Sequence, residues 1–140
     1  MTKREATRQC RKLTRYWHKR LGLEPWRVLF VFSREALDES MRGDSGHIIP
    51  NSLHRTAKLA LNERLDPKWY QQVIVHELLH LKWHVVEEAL DALTEPAKTV
   101  LWDTHHAALN HVSKMFIGAE RTFPLDGGEM LKRAPWESVV

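Results

Sequence analysis

The first twenty-two residues alternate between apolar and basic positions with the period of an α-helix. An apolar residue recurs every three or four positions, and basic residues recur at a similar spacing on the opposite face. Gly22 follows and predicts the end of the helix. The pattern therefore predicts a basic amphipathic helix over residues 1–22. Its inward stripe is Ala6, Cys10, Leu13, Trp17 and Leu21, and its outward face is Arg4, Arg8, Arg11, Arg15 and Lys19.

Residues 26–63 contain short runs that are typical of β-strands. The run WRVLFVF, which begins at Trp26, is rich in aromatic and β-branched residues and has the length of a strand. After several turn-forming residues, HIIPNS and RTAKLALN are further extended candidates. Pro50 restricts the first of these to an edge or a break, because proline has no backbone N–H for a sheet. We expect a small sheet of three or four strands, in which one face of TAKLALN carries Ala57, Leu59 and Leu61.

The second half of the chain has helical patterns. Asp66 is a suitable N-cap, and Pro67 stands at the first helical position, where its missing N–H costs nothing. We expect one helix over 66–93, apolar on nearly all sides in its first half and therefore buried. A further helix is predicted over 95–117, and residues 119–140 form a C-terminal tail without a clear period.

Length and composition agree with one α+β domain over residues 1–118. The 140 residues are 43% hydrophobic and 28% charged, which is ordinary for a globular protein. Cys10 is the only cysteine, so the chain cannot form an internal disulfide. No apolar run reaches the length of a membrane span, and the N-terminal residues lack the apolar stretch of a signal peptide. These features predict a cytoplasmic protein.

The net charge of +3 conceals an asymmetry along the chain. Residues 1–27 carry nine Lys or Arg against two Glu, whereas the remaining residues carry twelve basic side chains against sixteen acidic ones. A basic arm on a mildly acidic body indicates contact with nucleic acid. The alternative is an ordinary solvated helix face. The residues concerned are Arg4, Arg8, Arg11, Arg15 and Lys19.

The run VIVHELLH carries the strongest chemical signal. His76 and His80 lie one turn apart on the same helical face, so both can bind one metal ion. Glu77 stands about 100° away around the helix, where it is suited to take a proton from a zinc-bound water. Burying two imidazoles and a carboxylate in this apolar helix is costly unless they have a task such as metal ligation. The motif predicts one zinc ion, with Glu77 as the catalytic base.

The order of the elements around this motif resembles that of a known family. A strand pair, the extended TAKLALN, VIVHELLHL and a further helix resemble the minimal zincin metallopeptidases, and among them the SprT-like group with its small phage and bacterial relatives. The resemblance covers about residues 26–117, and its specific part is VIVHELLH. It implies a zincin-like fold and a zinc metallopeptidase that hydrolyses a polypeptide substrate, in a bacterium or, for a phage protein, in the host cytoplasm.

The resemblance also implies where an extended substrate binds. In zincins the strand before the motif helix lines the cleft and pairs with the peptide as an edge strand. In this chain that strand consists of Ala57, Lys58, Leu59, Ala60, Leu61 and Asn62.

The motif leaves the third metal ligand open. His84 stands about 12 Å along the axis of a straight helix from His76, which is too far to share an ion. Metzincins avoid this difficulty by breaking the helix at a glycine, but Trp83 occupies that position here. The third ligand is therefore expected outside the run HELLHLKWH.

The next helix supplies the candidates. In gluzincin-like sequences the third ligand is a Glu on that helix, and an Asp four residues later orients a ligand histidine. The resemblance assigns these two positions to His106 and Asn110, with histidine in place of glutamate, and zinc accepts either. His105 is the main alternative ligand. Three further residues stay open, namely His111, Glu87 and Glu88.

Two other functions remain open at this stage. Metal-dependent endoribonucleases of the YbeY type also carry several histidines on one helix, but their pattern needs a glycine and a more distant histidine that this chain lacks. A nucleic-acid-binding module with structural zinc requires four converging ligands, and only three good candidates converge here. For a peptidase, Tyr70, His54 and His47 are candidates to stabilise the oxyanion, and the sequence selects none of them.

Overall fold

The described part of the chain folds into a helix, a three-stranded sheet and three further α-helices. The computed structural model describes residues 1–32, 45–117 and 133–137. The α+β class and the N-terminal helix, small sheet and later helices expected from the sequence are confirmed. The elements are α1 (Lys3–Arg20), β1 (Arg27–Phe32), β2 (Gly46–Asn51), β3 (Thr56–Leu61), α2 (Tyr70–Lys82), α3 (His84–Asp91) and α4 (Ala97–Ile117).

The basic helix α1 has the two faces that its sequence predicts. A capping box between Thr2 and Glu5 begins the helix. At the other end, Lys82 Nζ donates to the carbonyl oxygen of Leu21 at 2.7 Å, which satisfies a carbonyl at the helix C-terminus. The buried stripe is Ala6, Cys10, Thr14 and Trp17, continued by Leu21. The exposed basic face is Arg4, Arg8, Arg11, Arg15 and Lys19.

β3 is the central strand of the sheet. It pairs with β1 in parallel and with β2 in antiparallel orientation, so the strand order is β1-β3-β2. The expectation of a substrate-binding edge at this strand is therefore wrong, because its backbone groups are already paired on both sides. That expectation concerned Ala57, Lys58, Leu59, Ala60, Leu61 and Asn62, the last of which donates its N–H to Ser45.

β2 is the edge strand on the side of helix α2. α1 packs against β1 and α2, whereas α2 packs against β2 and β3. β2 and α2 lie close together at Gly46, where an added methyl group would be 2.9 Å from Val73 Cγ1. Pro50 lies in this edge strand, as its missing N–H predicts. Residues 33–44 of the predicted sheet region are outside the described residues.

The expectation of one helix over 66–93 is wrong. Asp66 accepts a hydrogen bond from the backbone N–H of Lys68, but Pro67 opens a short 3-10 turn that precedes α2. α2 then ends at Lys82, because Trp83 leaves helical geometry with φ −99° and ψ 18° and a second helix, α3, begins. Most of α2 is buried, whereas α3 has no buried residue, so the hydrophobic core ends where the helix breaks.

α4 and the described part of the tail complete the fold. α4 lies against α2, and its Leu109 is 3% exposed. From the predicted tail over 119–140, only residues 133–137 are described, and there Trp136 packs against Phe32 with a centroid distance of 5.2 Å. Within the described residues, no helix has the length and apolar character needed to cross a membrane.

Candidate metal centre

Five side chains with metal-binding atoms meet where α2, α3 and α4 come together. α2 contributes the two motif histidines, α3 contributes a glutamate, and α4 contributes two adjacent histidines. The rings of these two α4 histidines lie 6.3 Å and 5.0 Å from the ring of His80, measured between centroids. The five residues are His76, His80, Glu87, His105 and His106.

The two motif histidines point the same nitrogen at each other. Their Nε2 atoms are 3.1 Å apart, and their rings stand nearly perpendicular, at 79°. Two imidazoles that bind one tetrahedral zinc at about 2.0–2.1 Å have nitrogens about 3.3 Å apart. The spacing of His76 and His80, one helical turn, therefore gives a donor pair that fits a zinc ion.

Glu87 connects the motif helix to α4. A single carboxylate oxygen, Oε2, lies 2.7 Å from His80 Nδ1 and 2.8 Å from His105 Nε2. Burial opposes its ionisation, but the hydrogen bonds to His80 and His105 prevail and lower the pKa of Glu87. An ionised carboxylate only accepts hydrogen bonds, so the proton of His80 is on Nδ1. In neutral His80 the free lone pair is then on Nε2, the atom that faces His76.

The pKa values around the site differ sharply between neighbours. Burial, followed by the nearby charges of His80 and His106, lowers the pKa of His76 to about 3. For His80, burial acts downward, but the hydrogen bond to Glu87 and the charges of Glu77 and Glu87 outweigh it and raise the pKa. Burial and the charge of His80 lower the pKa of His106. Neutral imidazoles are the form that binds metal.

His106 and Asn110 lie on the side of α4 that approaches the motif. The His106 ring is 5.0 Å from the ring of His80. The Asn110 side chain lies within hydrogen-bonding reach of the His76 imidazole. Trp102 packs against both histidines of α4, at 5.2 and 5.7 Å, and its indole N–H donates to Asp91 at 3.1 Å. A rigid aromatic ring thus supports the α4 histidines from outside the site.

Two donor sets can be drawn from this group, and they use opposite nitrogens of His80. His80, Glu87 and His105 have ligand atoms that all lie within 4.8 Å of one another, so this triad could hold a metal ion. The second set is the Nε2 pair of His76 and His80, with His106 nearby.

Glu77 is buried beside the motif histidines. Glu77 is only 8% exposed, and its charge acts to raise the pKa of His80. This position follows from the helix itself, because residue 77 is adjacent in sequence to one ligand candidate and three residues before the other. The carboxylate of Glu77 therefore lies close enough to act electrostatically on His80.

Two of the open ligand candidates, and the excluded His84, lie elsewhere. His84 Nε2 is 2.8 Å from Ser52 Oγ and 3.0 Å from Glu88 Oε1, and the ring packs edge-on against Trp26. Glu88 is thus engaged with His84, and His111 is exposed on α4. None of these three residues joins the five-residue group.

The oxyanion candidates have contacts with other residues. The Tyr70 side chain is fully buried against Phe32, and burial raises the pKa of its hydroxyl. His54 lies in the turn after β2, where its backbone N–H donates to Asn51. His47 pairs with Ala60 in the sheet.

The contact of Glu87 with His80 was missed from the sequence. A straight helix separates residues seven apart by about 10.5 Å along its axis, so Glu87 was only one of several remaining candidates. The break at Trp83 is what brings it close. The only local signal is the β-branched pair Val85 and Val86, which weakens helix propensity slightly.

Comparison with known proteins gives no match for this chain among family models, curated proteins or solved structures.

Proposed function

We propose that this protein is a zinc-dependent metallopeptidase. His76, His80 and His106 are the zinc ligands, and Glu77 is the catalytic base. The observation that carries the proposal is the 3.1 Å distance between the Nε2 atoms of His76 and His80. The other nitrogen of His80, Nδ1, is hydrogen-bonded to Glu87. Bound there, zinc would polarise a scissile carbonyl and make a water molecule more acidic.

The hydrogen bonds favour this ligand set over the triad of His80, Glu87 and His105. In the triad, both histidine nitrogens already point at one carboxylate oxygen, and each of these contacts is a good hydrogen bond at 2.7–2.8 Å. Metal-binding histidines commonly donate their second N–H to a carboxylate in this way. The contacts of Glu87 therefore support a role behind the ligand, with the ion on the Nε2 side of His80.

The choice of His106 as third ligand is supported by its neighbours. The ring of His106 lies closer to the ring of His80 than the ring of His105 does, at 5.0 against 6.3 Å between centroids, although among the described residues the group whose ligand atoms all lie within 4.8 Å of one another is His80, Glu87 and His105. Asn110, one turn further along α4, reaches His76. One helical turn of α4 thus lies beside both motif histidines. The ring of His106 is near His80, and the amide of Asn110 is near His76.

In catalysis, the protein's own groups position reactants and move one proton. The Glu77 carboxylate takes a proton from the attacking water and delivers it to the nitrogen of the leaving amine. Its burial keeps bulk water away, so its charge acts at short range on the reacting atoms. The hydrogen bond between His80 Nδ1 and Glu87 keeps the imidazole of His80 in a fixed orientation.

For the peptide substrate, β2 replaces the strand expected from the sequence. β2 pairs with β3 on one side, so in the described part of the chain its other side is available to an extended peptide. It is also the edge that packs against the motif helix. We infer that a polypeptide binds along residues 46–51.

The test of this proposal is the variant Glu77→Gln, which removes the base and keeps the shape of the side chain. We expect the wild type to hydrolyse casein in a chelator-sensitive manner and Glu77→Gln to lose at least about 99% of the rate while binding one zinc per chain. Glu88→Gln is the matched control, since Glu88 lies outside the site, and it should keep wild-type activity. Hydrolysis by Glu77→Gln at the wild-type rate would refute the mechanism.

The same assay separates the rival functions. Chelator-sensitive cleavage of RNA without cleavage of casein would favour an endoribonuclease. Zinc binding without cleavage of either would favour a nucleic-acid-binding module with a structural metal.

A second proposal concerns α1, which we infer to be a surface for nucleic acid. The supporting observation is that all five basic residues of its outward face are exposed, opposite a stripe that is buried in the core. The side chains are Arg4, Arg8, Arg11, Arg15 and Lys19.

A further inference from the structure

The contact between His80 and Glu87 cannot form on a continuous helix. Seven residues of straight α-helix span about 10.5 Å along the axis, yet His80 Nδ1 and Glu87 Oε2 are 2.7 Å apart. The break at Trp83 accounts for the difference, because α3 does not continue the helical geometry of α2.

Backbone hydrogen bonds of the helical kind are present on both sides of this break. The N–H of Trp83 donates to the carbonyl oxygen of Leu79 at 3.0 Å and so closes the last turn of α2. The carbonyl oxygen of Trp83 then accepts from the N–H of Glu87, also at 3.0 Å, and so opens the first turn of α3. Trp83 therefore caps both helices, as the last residue of α2's final turn and the residue before α3. Glu87 lies one turn into α3.

A third helix holds the carboxylate from the other side. His105 of α4 contacts the same oxygen, Oε2, at 2.8 Å. The side chains of the three residues are only 12–15% exposed, so the hydrogen bonds are shielded from water. One carboxylate oxygen thus connects the metal-binding turn of α2 to α4.

We propose that Glu87 is a positioning residue for the zinc ligand His80, carried into place by the break at Trp83 and held there by His105. This inference rests on the zinc site proposed above. Glu87 keeps the proton of His80 on Nδ1, fixes the ring plane and makes Nε2 a stronger donor. His105 acts through Glu87 and does not bind the ion.

The experiment measures zinc affinity by competition with a chromophoric chelator, so it does not depend on catalysis. We expect Glu87→Gln to bind zinc about 10- to 100-fold more weakly than the wild type, because the amide keeps the shape but lacks the charge. Glu88→Gln, one residue away and outside the site, should bind zinc as the wild type does. Unchanged affinity in Glu87→Gln would overturn the inference.

Cobalt substitution distinguishes a positioning residue from a ligand. The visible bands of the Co²⁺-loaded protein report the ligands around the ion. With Glu87 behind His80, saturating Co²⁺ should give the same band positions in Glu87→Gln and in the wild type. A change in band positions or in coordination number would show that Glu87 binds the metal and would overturn its positioning role.

The His105 variant tests the connection through Glu87. We expect His105→Gln to weaken zinc binding less than Glu87→Gln does, and the double variant to bind no more weakly than Glu87→Gln alone. Fully additive losses would overturn the role of His105. If Glu87→Gln does not fold by circular dichroism, His105→Gln carries the test, and wild-type zinc affinity in that variant overturns the proposal.

The outcome separates this inference from the proposed function. Weaker zinc binding by Glu87→Gln in a protein that does not cleave casein would support the inference and contradict the peptidase. Normal zinc affinity in Glu87→Gln, together with chelator-sensitive proteolysis by the wild type, would overturn the inference alone.

Discussion

At the scale of single residues, His76 and His80 lie on one helical turn but favour different charge states. His76 is buried and its pKa falls to about 3, whereas the carboxylates near His80 raise its pKa. Without metal, His80 is thus the site's first proton acceptor, and its Nε2 then donates to His76. Zinc must displace this proton, so acid weakens zinc binding once the pH falls below the raised pKa of His80.

The buried His76 predicts how the stability of the zinc-free protein depends on pH. The unfolded imidazole takes a proton near its ordinary pKa of 6.5, but the folded one does so only near 3. The unfolded state therefore binds more protons between these values, and stability falls as the pH falls, by up to about 1.4 kcal/mol per pH unit. The raised pKa of His80 acts in a different window, since its contribution is full below 6.5 and is lost at higher pH.

Urea denaturation between pH 6.5 and 5, in the presence of chelator, measures this slope. The variant His76→Gln should flatten it, because glutamine does not titrate. His111→Gln, which replaces an exposed histidine of α4, serves as the control and should leave the slope as in the wild type. An equal slope in His76→Gln and wild type would contradict the assignment.

The two adjacent histidines of α4 have different expected roles. His106→Ala removes a proposed ligand and should weaken zinc binding more than about 100-fold, whereas His105→Ala acts only through Glu87 and should weaken it less than the roughly 10- to 100-fold expected for Glu87→Gln. Zinc competition on both variants measures the difference. A larger loss for His105→Ala than for His106→Ala would assign the third ligand to His105.

At the scale of elements, the site depends on the packing of α4 against α2. Leu109 is 3% exposed and lies one turn from His105 and close to His106 along α4, so it anchors the turn that carries them. The variant Leu109→Ala should destabilise the protein by about 2–5 kcal/mol, because it leaves a cavity between the two helices. It should also weaken zinc binding, since α4 loses its fixed position.

The free energy of unfolding in urea tests this anchor. Val100→Ala on the same helix is the control: Val100 is 61% exposed, and its truncation should change stability by less than about 0.5 kcal/mol. Equal costs for the two variants would show that α4 is not anchored through Leu109.

The elements also show what sequence could and could not predict. The pattern of α1 and the alternation in β3 are local, so most of their buried residues were predictable, but the burial of Thr14 and Ala60 was not. The central position of β3 was not, because strand order depends on pairing between segments distant in the chain. The break at Trp83 was not predictable either. It occurs together with contacts of Glu87 with His80 and His105, and these contacts depend on how three helices pack.

The same distinction applies to the candidate site. The geometry of His76, Glu77 and His80 follows from helical spacing alone, so the motif was sufficient to recognise it. The approach of His106 and Asn110 depends on how α4 packs, and only a resemblance to gluzincin-like sequences indicated those positions. The role proposed for Glu87 required the three-dimensional contact.

At the scale of the whole molecule, the basic face of α1 and the metal centre belong to different parts of the fold. α1 packs against β1 and α2, whereas the metal centre lies where α2 meets α3 and α4. If α1 binds nucleic acid, its charge can bring the protein to a polyanion without occupying the centre.

Charge reversal tests the role of α1. The double variant Arg8→Glu and Arg15→Glu should weaken binding to a DNA oligonucleotide roughly tenfold or more and reduce its salt dependence, because phosphate contacts are lost. The control reverses the same number of charges elsewhere, at Arg64 and Lys98. Fluorescence anisotropy across a salt series measures both variants, and equal losses in the two would contradict a specific role for α1.

The central claim is that zinc binds on the Nε2 side of His80. Anomalous diffraction at the zinc edge, from crystals grown with zinc, tests it most directly. The account predicts one peak about 2.0–2.1 Å from the Nε2 atoms of His76 and His80, with His106 as third ligand. A peak between His80 Nδ1, Glu87 and His105, or no peak at this site, would contradict it.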